Sequence, residues 1–184
     1  MNALDQISRT VENQKHIAIA AFVPLELSLL NYKPAPDSWS ILECLEHLNR
    51  YSRYYNPALA KAIAANAGNA DQTISYTWLG KKSLDMVRPE NGKKSKTVKH
   101  MNPNNSQLGR QTLEEFLDHQ TELLQLLDKA KGANLNMKAI PVEFFKLLKL
   151  RIGETLEFVA LHQERHLQQA LNVKKQLPVN QAAA

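Results

Sequence analysis

Apolar residues recur at steps of three and four through four long stretches of this sequence, the spacing that gathers side chains on one face of an α-helix. The stretches are residues 4–22, 40–63, 112–131 and 152–175. An apolar face of this kind must be buried against another element, and no segment shows a convincing strand pattern. The pattern therefore predicts an all-α protein that folds as a four-helix bundle.

Two of these helices carry a start signal. Ser40 is followed by Glu43, and Thr112 by Glu115. This is the spacing of a capping box, in which the hydroxyl accepts a backbone N–H and the carboxylate reaches back to the chain. Both helices are predicted to begin at these residues. The apolar segment 141–150 begins with a proline and is predicted to form a short helix or turn.

The helical periodicity disappears between residues 66 and 110, where glycines, prolines and lysines are frequent. Loops longer than about 15 residues are uncommon in compact domains and are usually functional or mobile. We predict a long irregular crossover between the second and third long helices, with Trp78 anchoring a short helix or covering segment. The chain 1–184 is then one domain, with residues 178–184 as a flexible tail.

The net charge of +5 is concentrated in one place. Residues 81–100 contain seven basic side chains against Asp85 and Glu90, and the rest of the chain is balanced. The seven are Lys81, Lys82, Arg88, Lys93, Lys94, Lys96 and Lys99. One charged loop is not the basic face of a nucleic-acid-binding protein. We therefore expect no nucleic-acid partner, and interpret this window as a solvated loop or a lid over an anionic ligand.

The sequence also limits the compartment. No run approaches the roughly 18 apolar residues that span a membrane, and the polar N-terminus lacks the layout of a signal peptide. The single cysteine, Cys44, excludes an internal disulfide and fits a reducing environment. We expect a cytoplasmic protein with no membrane partner. Cys44 lies on an apolar stripe, which predicts a buried and unreactive thiol.

Three of the six histidines are placed where they could share an ion. His162 and His166 are four residues apart on the inward side of the last helix, so their rings lie on one face. His47 lies at the margin of the second helix's apolar stripe. Three imidazoles with an open position are typical of catalytic zinc, and nickel accepts the same ligands. The spacing also leaves an alternative open, in which His162 and His166 are ordinary core residues and His47 is exposed.

Two segments, WSILECLEHLNRYSRYY and GETLEFVALHQERHLQQA, carry a resemblance. They resemble the signature segments of the DinB-like superfamily of damage-inducible metalloenzymes, which are four-helix bundles. The matching residues are Trp39, Ser40, His47, Gly153, His162, Arg165, His166 and Gln169. The resemblance implies a divalent metal, commonly zinc or nickel, held by the three histidines. It also implies hydrolysis or thiol-dependent transfer as the activity, and a homodimer.

Other side chains near the histidines are candidates for supporting or lining the site. Tyr51 follows His47 by one turn, Glu43 precedes it by one turn, and Trp78 lies in the crossover. Tyr54 could also donate a hydrogen bond to a ligand. Glu164 lies between the paired histidines but faces the other side of the helix, so the spacing excludes it as a catalytic base.

Four further residues receive structural interpretations. Arg165 is predicted to be a buried ion-pair partner. His16, His100 and His119 match no signature position and are predicted to be structural or solvent-facing.

Taken together, these observations predict a divalent-metal-dependent enzyme. Its histidines would activate water or a low-molecular-weight thiol, and its substrate would be a small molecule, thiol-bearing or anionic. The alternative is a non-enzymatic dimeric bundle with a structural or vestigial metal site, because no general base is identifiable beside the histidines.

Overall fold

The computed structural model describes residues 2–68, 70–91, 97–143 and 145–178. Within these ranges lie six α-helices and one 3-10 turn, Lys99–Met101. The helices are α1 (Ala3–Phe22), α2 (Leu27–Leu30), α3 (Ile41–Ala65), α4 (Trp78–Val87), α5 (Gln111–Ala130) and α6 (Ile152–Lys174). The strands β1 (Lys138–Val142) and β2 (Phe145–Arg151) form an antiparallel hairpin. The four long helices confirm the predicted bundle; residues 179–184 of the predicted tail lie outside the described residues.

Helices α1 and α3 each pack against both α5 and α6. Two side chains show that α3 and α5 run in the same direction. The Asn49 amide donates to the Thr112 carbonyl (2.9 Å), and seven residues later the Asn56 amide donates to the Glu122 carboxylate (2.7 Å). Parallel neighbours require a connection that returns along the whole bundle. This geometry is the physical reason for the long crossover.

The buried apolar side chains form two clusters, one toward each end of the bundle. Between them, each long helix contributes buried polar residues to a polar layer. Its members are Gln14, Asn49, Ser52, Gln120 and Gln163, each no more than 2% exposed. The Gln14 amide donates to the Ala160 carbonyl at 2.9 Å. Buried polar positions of this kind favour one register between helices over others. His162 immediately precedes Gln163, the member of this layer on α6.

The capping box at the start of α3 is confirmed. The Ser40 hydroxyl accepts from the Glu43 N–H (3.1 Å), and the Glu43 carboxylate accepts from the Ser40 N–H (2.8 Å). The second Glu43 oxygen accepts from the Asn105 N–H at 2.6 Å. Glu43 therefore caps the helix and ties down the end of the crossover. Cys44 on the next position is 0% exposed, and burial raises the pKa of its thiol.

The capping box predicted at Thr112 and Glu115 is wrong. Helix α5 begins at Gln111, and no side chain caps its first turn. The Glu115 carboxylate instead accepts two hydrogen bonds from the Arg53 guanidinium of α3, at 2.6 and 2.7 Å. A charged, two-point contact with a neighbouring helix competes successfully with a local cap.

The prediction of a short helix or turn at residues 141–150 is also wrong, because residues 141 and 142 lie in β1 and residues 145–150 lie in β2. Ile140 and Val142 of β1 and Leu150 of β2 point into the core, each no more than 3% exposed. Most of β2 stands clear of the core, and Leu147 is 86% exposed. The periodicity of a short apolar run cannot distinguish a strand from a helix. Here the pairing of β2 with β1 decides the structure, and that pairing is a contact between separate segments.

The crossover contains the short helix α4, as predicted. The Thr77 hydroxyl caps it by accepting from the Gly80 N–H (2.9 Å). The prediction that Trp78 anchors this segment is wrong, since its side chain is 75% exposed and lies beside Lys82. Anchoring comes instead from Glu154 of α6. Its carboxylate accepts from the Thr77 N–H (2.5 Å) and hydroxyl (2.8 Å).

Part of the basic window can be placed. Arg88 is exposed and lies 3.6 Å from the Asp85 carboxylate, and Lys81, Lys82 and Lys99 are exposed. Lys93, Lys94 and Lys96 lie outside the described residues. In the part of the chain that the structure describes, no helix combines the length and apolar character needed to cross a membrane.

Candidate metal centre

His47, His162 and His166 lie together at the contact between α3 and α6. One ring nitrogen from each lies within 4.8 Å of the other two. The Nε2 atoms of His47 and His162 are 3.3 Å apart, and His47 and His162 are buried. Among the residues that the structure describes, these three histidines are the group of potential metal-binding side chains whose ligand atoms lie close enough to share one ion. The predicted trio is thus brought together, with His47 buried rather than exposed.

Hydrogen bonds fix the orientation of two of the rings. The Nδ1 of His47 lies 2.8 Å from the Met101 carbonyl, and the Nδ1 of His166 lies 2.9 Å from the Gln169 side-chain oxygen. Because both partners only accept, each Nδ1 is assigned the proton. The lone pair of each of these two rings is then on Nε2, and the Nε2 of His47 lies 3.3 Å from the Nε2 of His162. A second nitrogen held in this way is typical of histidines that bind metals.

The three imidazoles are neutral near pH 7. Burial lowers the pKa of His47 to about 4, against an opposing effect of the hydrogen bond to Met101. Burial and the neighbouring His47 lower the pKa of His166 to about 3. The pKa of His162 is lowered by burial and then by the other two histidines. Neutral imidazole is the form that binds a metal, so the donor set fits a borderline ion such as zinc or nickel.

These pKa shifts predict an acid-sensitive metal-free protein. In the unfolded chain the histidines protonate near pH 6.5, whereas His47 stays neutral in the folded chain down to about pH 4. The unfolded state therefore binds more protons in this window, and stability falls as the pH falls. We expect His47 alone to cost about 3 kcal/mol between pH 7 and pH 4.

Chemical denaturation of the metal-free protein at several pH values measures this loss. His47→Gln should flatten the decline, whereas His16→Gln, at an exposed position on α1, should leave it unchanged. Equal slopes for wild type and His47→Gln would contradict the assignment.

A cavity of about 760 Å³ opens onto the histidines. Its inner wall is apolar and aromatic. The Trp39 ring lies 4.9 Å from that of His47 between centroids, and the Phe158 ring stacks on that of His162 at 5.8 Å. Gln169, Asn172 and Gln176 continue the lining along α6. A cavity of this size, with both apolar and polar side chains in its lining, is typical of small-molecule sites.

Tyr51 lines the same cavity, as predicted from its position one turn after His47. Its ring lies 5.0 Å from the His47 ring and 4.4 Å from the His162 ring. Burial, with a contribution from Glu143, raises the pKa of Tyr51 to about 12. The phenol therefore stays protonated at neutral pH and can donate a hydrogen bond to a ligand.

Arg165 holds the crossover against the cavity. Its guanidinium donates to the backbone carbonyls of Arg88 (3.2 Å) and Asn91 (2.8 Å). Met86 and Val87, just before this contact, form part of the cavity wall. Arg165 thus donates hydrogen bonds to backbone oxygens of the crossover. The sequence predicted an ion pair for this residue and did not predict these hydrogen bonds.

Several predicted candidates lie elsewhere. Glu43, Trp78 and Tyr54 are absent from the described lining of the cavity. Glu164, which the spacing excluded, is absent from it as well. The Tyr54 hydroxyl donates to the Pro141 carbonyl at 3.3 Å. Glu43 is committed to its cap and to the Asn105 N–H.

The remaining histidines have structural or surface positions. His16 is exposed. His119 lies between Glu115 (3.3 Å) and Glu122 (3.4 Å) on its own helix. His100 lies 2.5 Å from the Glu143 carboxylate.

Sequence reasoning missed two parts of the site. Phe158 is one turn before His162, so the helical spacing could have identified it. The Met101 carbonyl had no signal, because any residue supplies a backbone oxygen and only the path of the crossover brings this one to His47.

Comparison with known proteins gives three findings. A family model described as the DinB superfamily matches residues 11–170. The uncharacterized protein YuaE of Bacillus subtilis (strain 168) is 24% identical over 148 residues, which span 80% of this chain and 85% of YuaE. The solved structure of YfiT from Bacillus subtilis, described as "a probable metal-dependent hydrolase with an unusual four-helix bundle topology", matches with a TM-score of 0.57 and 10% identity. That match covers 94% of this chain and 86% of YfiT, and at this identity it supports the fold alone.

Proposed function

This chain belongs to the DinB superfamily, whose model matches residues 11–170, and on that premise we propose that it is a divalent-metal-dependent hydrolase of a small molecule. His47, His162 and His166 hold the ion, with zinc or nickel as the metal. The observation that carries the proposal is the convergence of three neutral imidazole nitrogens within 4.8 Å at one wall of an open cavity. The description of YfiT as a probable metal-dependent hydrolase favours hydrolysis over thiol transfer.

A divalent ion supplies Lewis acidity, which activates water or a thiol and polarises the bond to be broken. The protein's own groups supply the rest. Trp39, Phe158 and Val87 give one side of the cavity an apolar surface. The one carboxylate among the described lining residues is the exposed Asp37, so no buried acid competes with the histidines for the ion.

Tyr51 is proposed to stabilise negative charge on the substrate. Its protonated hydroxyl, beside His162, can donate to an oxygen that gains charge as a carbonyl or ester is attacked. We expect Tyr51→Phe to lower kcat by about 100-fold while zinc affinity stays at the wild-type value. Steady-state kinetics and chelator competition measure the two quantities, and an unchanged kcat would show that this hydroxyl has no such role.

The test of function is a substrate screen with zinc- and nickel-loaded protein against esters, amides and thiol acceptors with a low-molecular-weight thiol. Turnover of an ester or amide that disappears in metal-free protein supports the hydrolase. Turnover confined to thiol conjugation would replace it with a transferase. A protein that binds metal tightly without turning over any class would favour the non-enzymatic bundle.

Two expectations from the sequence remain predictions. We expect a homodimer, which sedimentation would show. We also expect no nucleic-acid affinity beyond that of a matched lysine-to-glutamine variant of residues 81–100.

A further inference from the structure

The 3-10 turn Lys99–Met101 delivers a backbone oxygen to the metal centre from a distant part of the chain. The Met101 carbonyl accepts from the Nδ1 of His47 at 2.8 Å. Met101 is itself only 5% exposed, so this residue is buried although its neighbours Lys99 and His100 are exposed. The position of this oxygen decides which nitrogen of His47 carries the proton.

Arg50 of α3 donates hydrogen bonds to this turn on both sides of Met101. One terminal nitrogen of its guanidinium donates to the carbonyls of His100 (3.1 Å) and Asn102 (3.0 Å). The Arg50 Nε donates to the Glu46 carboxylate at 2.9 Å, which holds the guanidinium in place. Because an arginine fork has a fixed geometry, these contacts restrict the plane in which the Met101 carbonyl lies.

Glu143, at the hairpin, contacts the same turn through the side chain of His100. Its carboxylate lies 2.5 Å from the Nε2 of His100, and the side chain is 7% exposed. The backbone N–H of Glu143 donates to the Tyr55 hydroxyl of α3 at 3.2 Å. The backbone of Glu143 is thus anchored to the bundle at Tyr55.

We propose that Arg50 and Glu143 are positioning residues for the metal centre. They fix the turn so that the Met101 carbonyl holds the proton on His47 Nδ1 and leaves Nε2 to the ion. The proposal rests on the proposed function, in which the three histidines hold a divalent ion. Partners that orient metal-binding histidines typically change metal affinity by about 10–100-fold when they are removed.

The test uses the full chain with Glu143→Gln and Arg50→Met. Zinc affinity is measured by chelator competition, and the His47 tautomer by ¹⁵N NMR of the metal-free protein. We expect each variant to bind zinc about tenfold more weakly, the lower end of the range for a direct partner, because both residues act through the Met101 carbonyl. We also expect each to shift His47 toward the Nε2–H tautomer. Glu122→Gln on α5 is the matched control, because it likewise removes a carboxylate that contacts a histidine (His119, 3.4 Å). Its other partner, the Asn56 amide at 2.7 Å, does not contact the turn.

Zinc affinity and the His47 tautomer together distinguish failure of this proposal from failure of the proposed function. Folded variants with wild-type zinc affinity and an unchanged His47 tautomer would overturn the proposal. If wild-type protein binds no zinc, the proposed function fails, while the tautomer of metal-free Glu143→Gln still decides the positioning role. If Glu143→Gln does not fold, Arg50→Met carries the same test, since it keeps the apolar stem of the side chain.

Discussion

Replacing His162 with alanine is expected to remove the bound metal. Wild-type protein loaded with zinc should carry one ion per chain. The variant should lose affinity by more than the roughly 100-fold that follows loss of an outer partner. Two imidazoles on different helices remain, and two protein ligands are fewer than the three of catalytic zinc sites. Elemental analysis and chelator competition measure the loss.

His16→Ala is the control for this experiment. His16 is exposed on α1, and the substitution removes an imidazole without approaching the cavity. His166→Ala should behave like His162→Ala, because each supplies one of the three converging nitrogens. A His162→Ala protein that keeps one ion at wild-type affinity would place the metal elsewhere.

The second large effect is expected at Glu154, where the crossover meets α6. This carboxylate is 0% exposed and accepts from the Arg151 N–H (2.8 Å) as well as from the N–H and hydroxyl of Thr77. It therefore closes the first turn of α6 and fastens α4 to it. A Cβ on Gly80 would overlap this carboxylate, so the space around it is closed.

We expect Glu154→Gln to reduce the free energy of unfolding by about 3 kcal/mol, because hydrogen bonds to a buried charge contribute about 1.5–3 kcal/mol each and are not additive. The midpoint of thermal unfolding should fall by roughly 10 °C. Glu157→Gln is the matched control on the same helix, where the partner is the exposed hydroxyl of Tyr76 (2.6 Å). Equal stability of the two variants would contradict the structural role assigned to Glu154.

The long helices could be predicted because their signals are local. The apolar stripes placed α1, α3, α5 and α6 to within a few residues, and the Ser40–Glu43 pair marked the start of α3. The same local rule failed at Thr112. There Glu115 has a partner, Arg53, that lies on another helix. Local rules hold where no distant group competes for the same atoms.

The site divides in the same way. His162 and His166 share one helix face by spacing alone. His47 was joined to them by its place at the margin of the second helix's apolar stripe and by the resemblance. Contacts made by backbone atoms or by distant segments of the chain could not be predicted from the sequence. The Met101 carbonyl and the Glu143–His100 pair both depend on where the crossover and hairpin come to rest. The prediction for Trp78 failed because a large apolar side chain is not always buried: Trp78 begins α4 and is exposed.

A crystal structure of the zinc-loaded protein, with anomalous diffraction recorded at the zinc edge, tests the central claim most directly. We predict one anomalous peak per chain, about 2.0–2.1 Å from a nitrogen of each of His47, His162 and His166. A zinc-loaded crystal with no peak among these three rings, or with its peak at other residues, would contradict the account.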